Sequence, residues 1–164
     1  ITQELEANPD KNILSFTQQD HNTWCECDKC LESLNKYGTN SAVYILFMNR
    51  VAEQVSAWVD QNYPGREVLM AMFAYQQSEE APVVKKDGEY VPVDESLRLH
   101  PNVALFYCPI YAEYYYDFNA EQNVNVADTL DKWSVLTNNI FTWIYGANLQ
   151  QLQLYAKQLS FLVR

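Results

Sequence analysis

Glycine is scarce in this chain, at 4 of 164 residues, roughly a third of the ~7% typical of proteins. No two of the four fall in one short loop. That excludes glycine-rich phosphate cradles and dinucleotide fingerprints, which need clustered glycines for close backbone approach. Basic residues are also few. Lys and Arg number 11 against 21 Asp and Glu, for a formal net charge of −10. Nucleic-acid binding needs a basic face and is disfavoured, as is docking on anionic membrane. No apolar run approaches the ~20 residues of a membrane span. The start, Ile1-Thr2-Gln3-Glu4, offers neither a basic segment nor an apolar run. A mature form or an excised fragment of a longer chain is the expectation.

What is abundant is apolar and aromatic. Hydrophobic residues make up 48% of the chain, which is ample for a core. Tyr is the most frequent aromatic, 12 residues beside 7 Phe and 4 Trp.

Periodicity divides the chain into alternating strands and helices. Ile1 to Asn8 reads as the tail of a helix ended by Pro9, and Ile13-Leu14-Ser15-Phe16 as a short strand. A polar cluster and a Cys-rich loop follow, closed by Gly38. Thr39, Asn40 or Ser41 can cap a long helix to about Asn62. Its apolar positions, Tyr44, Phe47, Met48, Val51, Ala52, Val55, Trp58 and Val59, recur at i, i+3, i+4. Val68 to Tyr75 and Val103 to Cys108 are continuous apolar runs, the pattern of strands buried on both faces. Between them, Ser78 to His100 reads as a long loop with Pro82, Pro92 and Gly88. Asn125 can cap a helix carrying Val126, Leu130, Trp133 and Leu136. A fourth strand spans Ile140 to Tyr145, and Leu149 to Leu162 reads as a last amphipathic helix. This order predicts one α/β domain over residues 1–164, built of parallel β/α units.

Ligands of parallel α/β folds bind at the carboxyl ends of strands. Those ends carry Gln18, Gln19, Asp20 and His21; then Tyr75, Gln76 and Gln77; then Cys108, Pro109, Ile110 and Tyr111; then Trp143, Tyr145 and Asn148. Amides, phenols and a few carboxylates bind hydroxyls, and aromatic faces stack on sugar rings. No strand end carries Lys or Arg, so a carbohydrate fits better than a phosphate. Glycoside hydrolysis needs two carboxylates about 5–9.5 Å apart. Asp20 directly follows a strand, and Glu113 lies in the next plausible loop. Glu79 and Glu80 lie further from a strand end and read as solvated. Seven Tyr (75, 107, 111, 114, 115, 116 and 145) lie at or just past strand ends, as the wall of a sugar rim would require. No nucleophile elbow or Cys–His pair stands out.

Cys25-Glu26-Cys27-Asp28-Lys29-Cys30 is the densest motif. It is open to a disulfide, to free thiols, or to a structural zinc with a fourth ligand from Cys108, His21 or another chain. No other cofactor is expected.

Ser15-Phe16-Thr17-Gln18-Gln19-Asp20 followed by Cys25-x-Cys27-x-x-Cys30 resembles a bacterial family, domain of unknown function 4838. Phe47-Met48-Asn49-Arg50-Val51-Ala52-Glu53, Ala74-Tyr75, Pro101-Asn102-Val103 and Trp143-Ile144-Tyr145 fit it too, so the resemblance covers about residues 12–148. That family is similar to glycoside-hydrolase barrels, notably α-glucuronidases and β-hexosaminidases. The resemblance implies about half of a TIM (β/α)8-type barrel within a larger, exported, polysaccharide-degrading bacterial protein. The expected partners are carbohydrate and the remainder of that larger chain, with exposed strand edges allowing a homo-oligomer. By position Asp20 matches the acid closing the family's first strand end. Family members often carry an acid after the third strand, where this chain has Tyr111. A non-catalytic carbohydrate-binding module on a degenerate barrel is therefore the other expectation.

Overall fold

The computed structural model describes residues 1–20 and 23–145, and the backbone at 147–148 and 153–154. A parallel sheet of four strands forms its centre. The strands are β1 (Ile13–Ser15), β2 (Leu69–Ala74), β5 (Val103–Tyr107) and β6 (Ile140–Thr142). They lie side by side in the order in which the chain visits them. The register pairs Leu14 with Met70, Met72 with Leu105, and Tyr107 with Thr142. The mixed α/β class and the four parallel strands expected from the sequence are present.

The strand limits follow from burial. Met70, Met72, Ala74, Val103, Leu105 and Tyr107 belong to the main core. The long helix α3 (Asn40–Asn62) packs Ala42, Ile45, Met48, Ala52, Val55 and Val59 into it. Thr39 caps α3, its hydroxyl accepting from the Ala42 N–H at 3.2 Å. α4 (Val124–Ser134) adds Val126 and Trp133. The short α1 (Thr2–Ala7) buries Leu5 and is held by Arg66, whose guanidinium donates to the carbonyls of Leu5, Asn8 and Lys11.

The other sheet face is aromatic. Phe73 meets Phe106 edge-on at 6.2 Å and Trp143 at 5.8 Å, and Phe106 stacks on Phe141 at 5.2 Å. Phe141 is 45% exposed and Trp143 49%.

Five expectations need correction. The Cys-rich segment is not all loop, because α2 (Asp28–Tyr37) begins directly after Cys27. It ends at Gly38 in the left-handed conformation (φ +81°), whose N–H donates to the Leu34 carbonyl at 2.8 Å. Residues 78–100 are not a long loop. They hold the antiparallel hairpin β3 (Val83–Lys86) and β4 (Glu89–Pro92), turned by Asp87 (φ +53°) and Gly88 (φ +93°). The hairpin docks on α4 through the Tyr90 hydroxyl, which donates to Asp128 at 2.5 Å. α4 starts at Val124, so Asn125 lies inside it and does not cap it. The fourth strand ends at Thr142, although the Trp143 N–H still bonds to the Tyr107 carbonyl at 2.8 Å. Finally, Gln153–Leu154 (β8) pairs antiparallel with Ala147–Asn148 (β7), so the last helix does not hold there. Its remaining positions lie outside the described residues. Among the described residues, no helix is long and apolar enough to cross a membrane.

Candidate functional site

Two adjacent parallel strands, β1 and β2, deliver their carboxyl ends to one place. Backbone pairing continues past β1 as the Phe16 N–H bonds to the Ala71 carbonyl at 2.9 Å. From α3, the Tyr44 hydroxyl donates to the Phe16 carbonyl. This fixes where residues 17–20 leave the sheet. Gln18 then turns inward. Its amide donates to the Tyr75 carbonyl at 2.8 Å, and its Oε1 accepts from the buried Ser78 hydroxyl at 2.9 Å. A strand end with its carbonyl and side chains so paired is held rigidly.

Gln76 bridges the two ends at the rim. Its backbone sits at φ +48°, a conformation that costs a residue with a Cβ about 1 kcal/mol or more. Its side-chain amide donates to Asp20 Oδ1 at 3.1 Å and to the Tyr75 phenol at 3.0 Å. Tyr145, past the end of β6, lies close to Tyr75, and burial pushes its phenol well above the usual range. Asp20, Gln76 and Tyr75 thus form one hydrogen-bonded chain across the carboxyl ends of β1 and β2, with the Tyr145 phenol close by. Asp20 is exposed at its outer end. The sequence places Gln18 and Gln76 at strand ends without marking either as a binding residue, and Ser78 is the member of this network that it does not anticipate.

Gln19 points elsewhere. With Gln18, Thr23, Trp24 and Cys25 it lines an open cleft of about 170 Å³. That is below the usual range for a ligand pocket, so it suits a single end group of a larger ligand. His21 lies outside the described residues, and nothing is described of the Asn148 side chain.

Glu113 is placed by its backbone. Its N–H donates to Asn123 Oδ1 at 2.8 Å, and its carbonyl accepts from Asn123 Nδ2 at 3.1 Å. Tyr111, in the same aromatic loop, is 77% exposed. The seven strand-end tyrosines do not all form a rim. Tyr107 and Tyr114 are buried in the core, because Tyr107 faces the helix layer and Tyr114 turns inward to donate to the Pro109 carbonyl at 2.9 Å.

Glu79 is not a solvated loop acid. It follows the short 3-10 turn Gln76–Ser78 and tucks under α4, where Trp133 Nε1 donates to its carbonyl at 2.8 Å. Tyr107 donates to its carboxylate at 3.5 Å. Burial raises the Glu79 carboxyl above its ordinary value, and the Tyr107 hydrogen bond offsets only part of that. The same burial, with Glu79 nearby, pushes the Cys108 thiol up to about 12. The folded chain therefore holds the Glu79 proton more tightly than the unfolded chain does. Stability falls as pH rises from about 4.5 through the raised folded value, then levels. Glu79→Gln removes the ionisable group while keeping an acceptor for Tyr107. Urea midpoints measured against pH should show the wild type losing stability over that window relative to the variant. Parallel profiles would contradict this assignment.

The three clustered cysteines stand at the start of α2, beside the cleft. Cys25, Cys27 and Cys30 bring their sulfurs within 4.8 Å of one another. Hydrogen bonding from the Cys30 backbone N–H, then from the Cys25 and Cys30 side chains, lowers the Cys27 thiol to about 7. Such a trio of thiols can hold a metal ion. Cys108, expected as a possible fourth ligand, is not part of the trio. It is buried at the end of β5 with its thiol directed to the Phe106 carbonyl at 3.5 Å.

No curated protein and no solved structure matches the chain. A family model described as a domain of unknown function, DUF4838, matches residues 1–160, nearly the full length. The chain belongs to the DUF4838 family.

Proposed function

We propose that the chain is a glycoside-hydrolase-like domain that acts on a glycan at the carboxyl ends of its parallel strands. The observation that carries this reading is the Asp20–Gln76–Tyr75 chain across two strand ends, with Tyr145 beside it. A carboxylate, an amide and two phenols suit a ligand made of hydroxyls. The exposed Trp143 and Tyr111 supply faces for sugar rings. The sheet is part of a TIM (β/α)8-type barrel in this proposal. Strands adjacent in chain order, with no reversal, support a singly wound barrel over a doubly wound sheet. The aromatic second face is then the barrel interior, completed by further strands of a larger exported protein. Asp20 serves as the general acid or orients the substrate, and Glu113 is the second carboxylate.

A panel of soluble plant and host polysaccharides, read by affinity electrophoresis and by reducing-sugar release, tests the proposal. Turnover of one polysaccharide is expected. It should fall by about 10²–10⁴-fold in Asp20→Asn, the usual contribution of a general acid. Glu113→Gln should abolish it likewise. Full activity in both variants would reject these roles.

A second reading is a non-catalytic glycan-binding module. The observation favouring it is Tyr111, which stands exposed where the family resemblance implies an acid. Binding that survives Asp20→Asn, without sugar release from any substrate, selects it. Absence of binding to the whole panel counts against both.

A further inference from the structure

We infer that Cys25, Cys27 and Cys30 form a three-thiolate site for one zinc ion, independent of any action on glycans. The sulfurs lie within 4.8 Å of one another. Tetrahedral zinc with Zn–S near 2.3 Å needs sulfurs about 3.8 Å apart. The remaining gap of about 1 Å is within reach of side-chain rotation about Cα–Cβ bonds. The trio is therefore close to a ligand set as it stands.

Local structure explains the convergence. Cys27 is the residue before α2, with extended backbone (φ −69°, ψ 156°), and Cys30 lies in the first helical turn. The Leu31 N–H bonds to the Cys27 carbonyl at 3.0 Å, which closes that turn and brings residues 27 and 30 to one side. Cys25, two residues before Cys27, lines the cleft with Gln18, Gln19, Thr23 and Trp24.

The chemistry favours a metal over a disulfide. A disulfide between any two of the three strands the third thiol, whereas one cation engages all three. Thiolates select soft and borderline ions, and zinc imposes no geometric demand of its own. Among the described residues these three thiols are the ligand group, and Cys25 and Cys27 are exposed. The bound ion ties the segment carrying Cys25 to α2 and so sets the shape of the cleft beside Gln19.

Cobalt and zinc alone, added to the fully reduced chain, test the site. One Co²⁺ per chain should bind with the intense visible bands of tetrahedral cobalt–thiolate, and Zn²⁺ should bleach them. Cys25→Ser, Cys27→Ser and Cys30→Ser should each weaken binding at least on the order of 10-fold, and Cys108→Ala should leave it unchanged. Should a serine variant fail to fold, X-ray absorption on the wild-type zinc form decides, with three sulfurs expected at about 2.3 Å. Lack of a one-to-one cobalt complex would overturn the site. So would half an equivalent shared between two chains, wild-type affinity in all three variants, or fewer than three sulfurs around zinc. An intrachain disulfide among the three in chain purified without reductant would overturn it as well.

Discussion

Trp133→Ala is expected to destabilise the protein by about 3–5 kcal/mol, the range for deleting a large buried aromatic. Trp133 is fully buried in the core. It also has a polar task. Its indole N–H holds the Glu79 carbonyl at 2.8 Å, while on the next residue the Ser41 hydroxyl donates to the Glu80 carbonyl. The chain leaving β2 is thus clamped between α4 on one side and α3 on the other. Alanine opens a cavity and frees a buried carbonyl together. Trp133→Phe separates the two effects, since it keeps most of the volume and loses only the donor. Its cost should be about 1–3 kcal/mol, that of one unsatisfied buried acceptor plus a modest loss of packing. Urea unfolding monitored by circular dichroism measures both. Because Gln76 and Ser78 precede the clamp, the alanine variant should also loosen the Asp20 network. Equal midpoints for Trp133→Phe and wild type would show that the hydrogen bond contributes nothing.

Asn123→Ala is expected to cost about 2–4 kcal/mol, because it leaves several backbone groups without partners. Asn123 is 1% exposed. Its Oδ1 accepts from the Glu113 N–H at 2.8 Å. Its Nδ2 lies 3.1 Å from the Glu113 carbonyl, 3.1 Å from that of Asp117 and 3.4 Å from that of Tyr116. One side chain thereby organises the aromatic loop from inside. Asn123→Asp preserves shape and acceptor but removes both donors and points a carboxylate at three carbonyl oxygens. It should be at least as damaging as alanine near neutral pH. Hydrogen exchange should show amides of residues 113–117 losing protection well beyond the global change. Unaltered protection there would show that the loop is held by other contacts.

The repeating strand–helix order was legible in the sequence wherever burial imposes a period. The stripe from Tyr44 to Val59 gave α3, and the unbroken runs at Leu69–Ala74 and Val103–Tyr107 gave strands, although Phe73 and Phe106 on their second face are only half-buried. Two elements had local signals that went unread. Asp87-Gly88 between β-rich flanks marks a tight hairpin, and Gly38 marks a helix end more than a loop. Both were masked by polar composition, because a short helix or hairpin on the surface buries too little to leave a strong period.

Composition and spacing alone determined that this is an acidic α/β chain without phosphate-cradling glycines, and that three thiols lie within six residues. They also put Asp20 and Tyr75 at strand ends. Only the tertiary structure decided which strand-end groups meet. It joined Asp20 to Gln76 and Tyr75, carried Glu79 under α4, and drew Tyr107 and Tyr114 into the core. The reason is physical. Periodicity reports which face of an element is buried. The partner of a hydroxyl or carboxylate depends on the register between strands and on the helix laid over them, and those are settled by contacts between residues far apart in the chain.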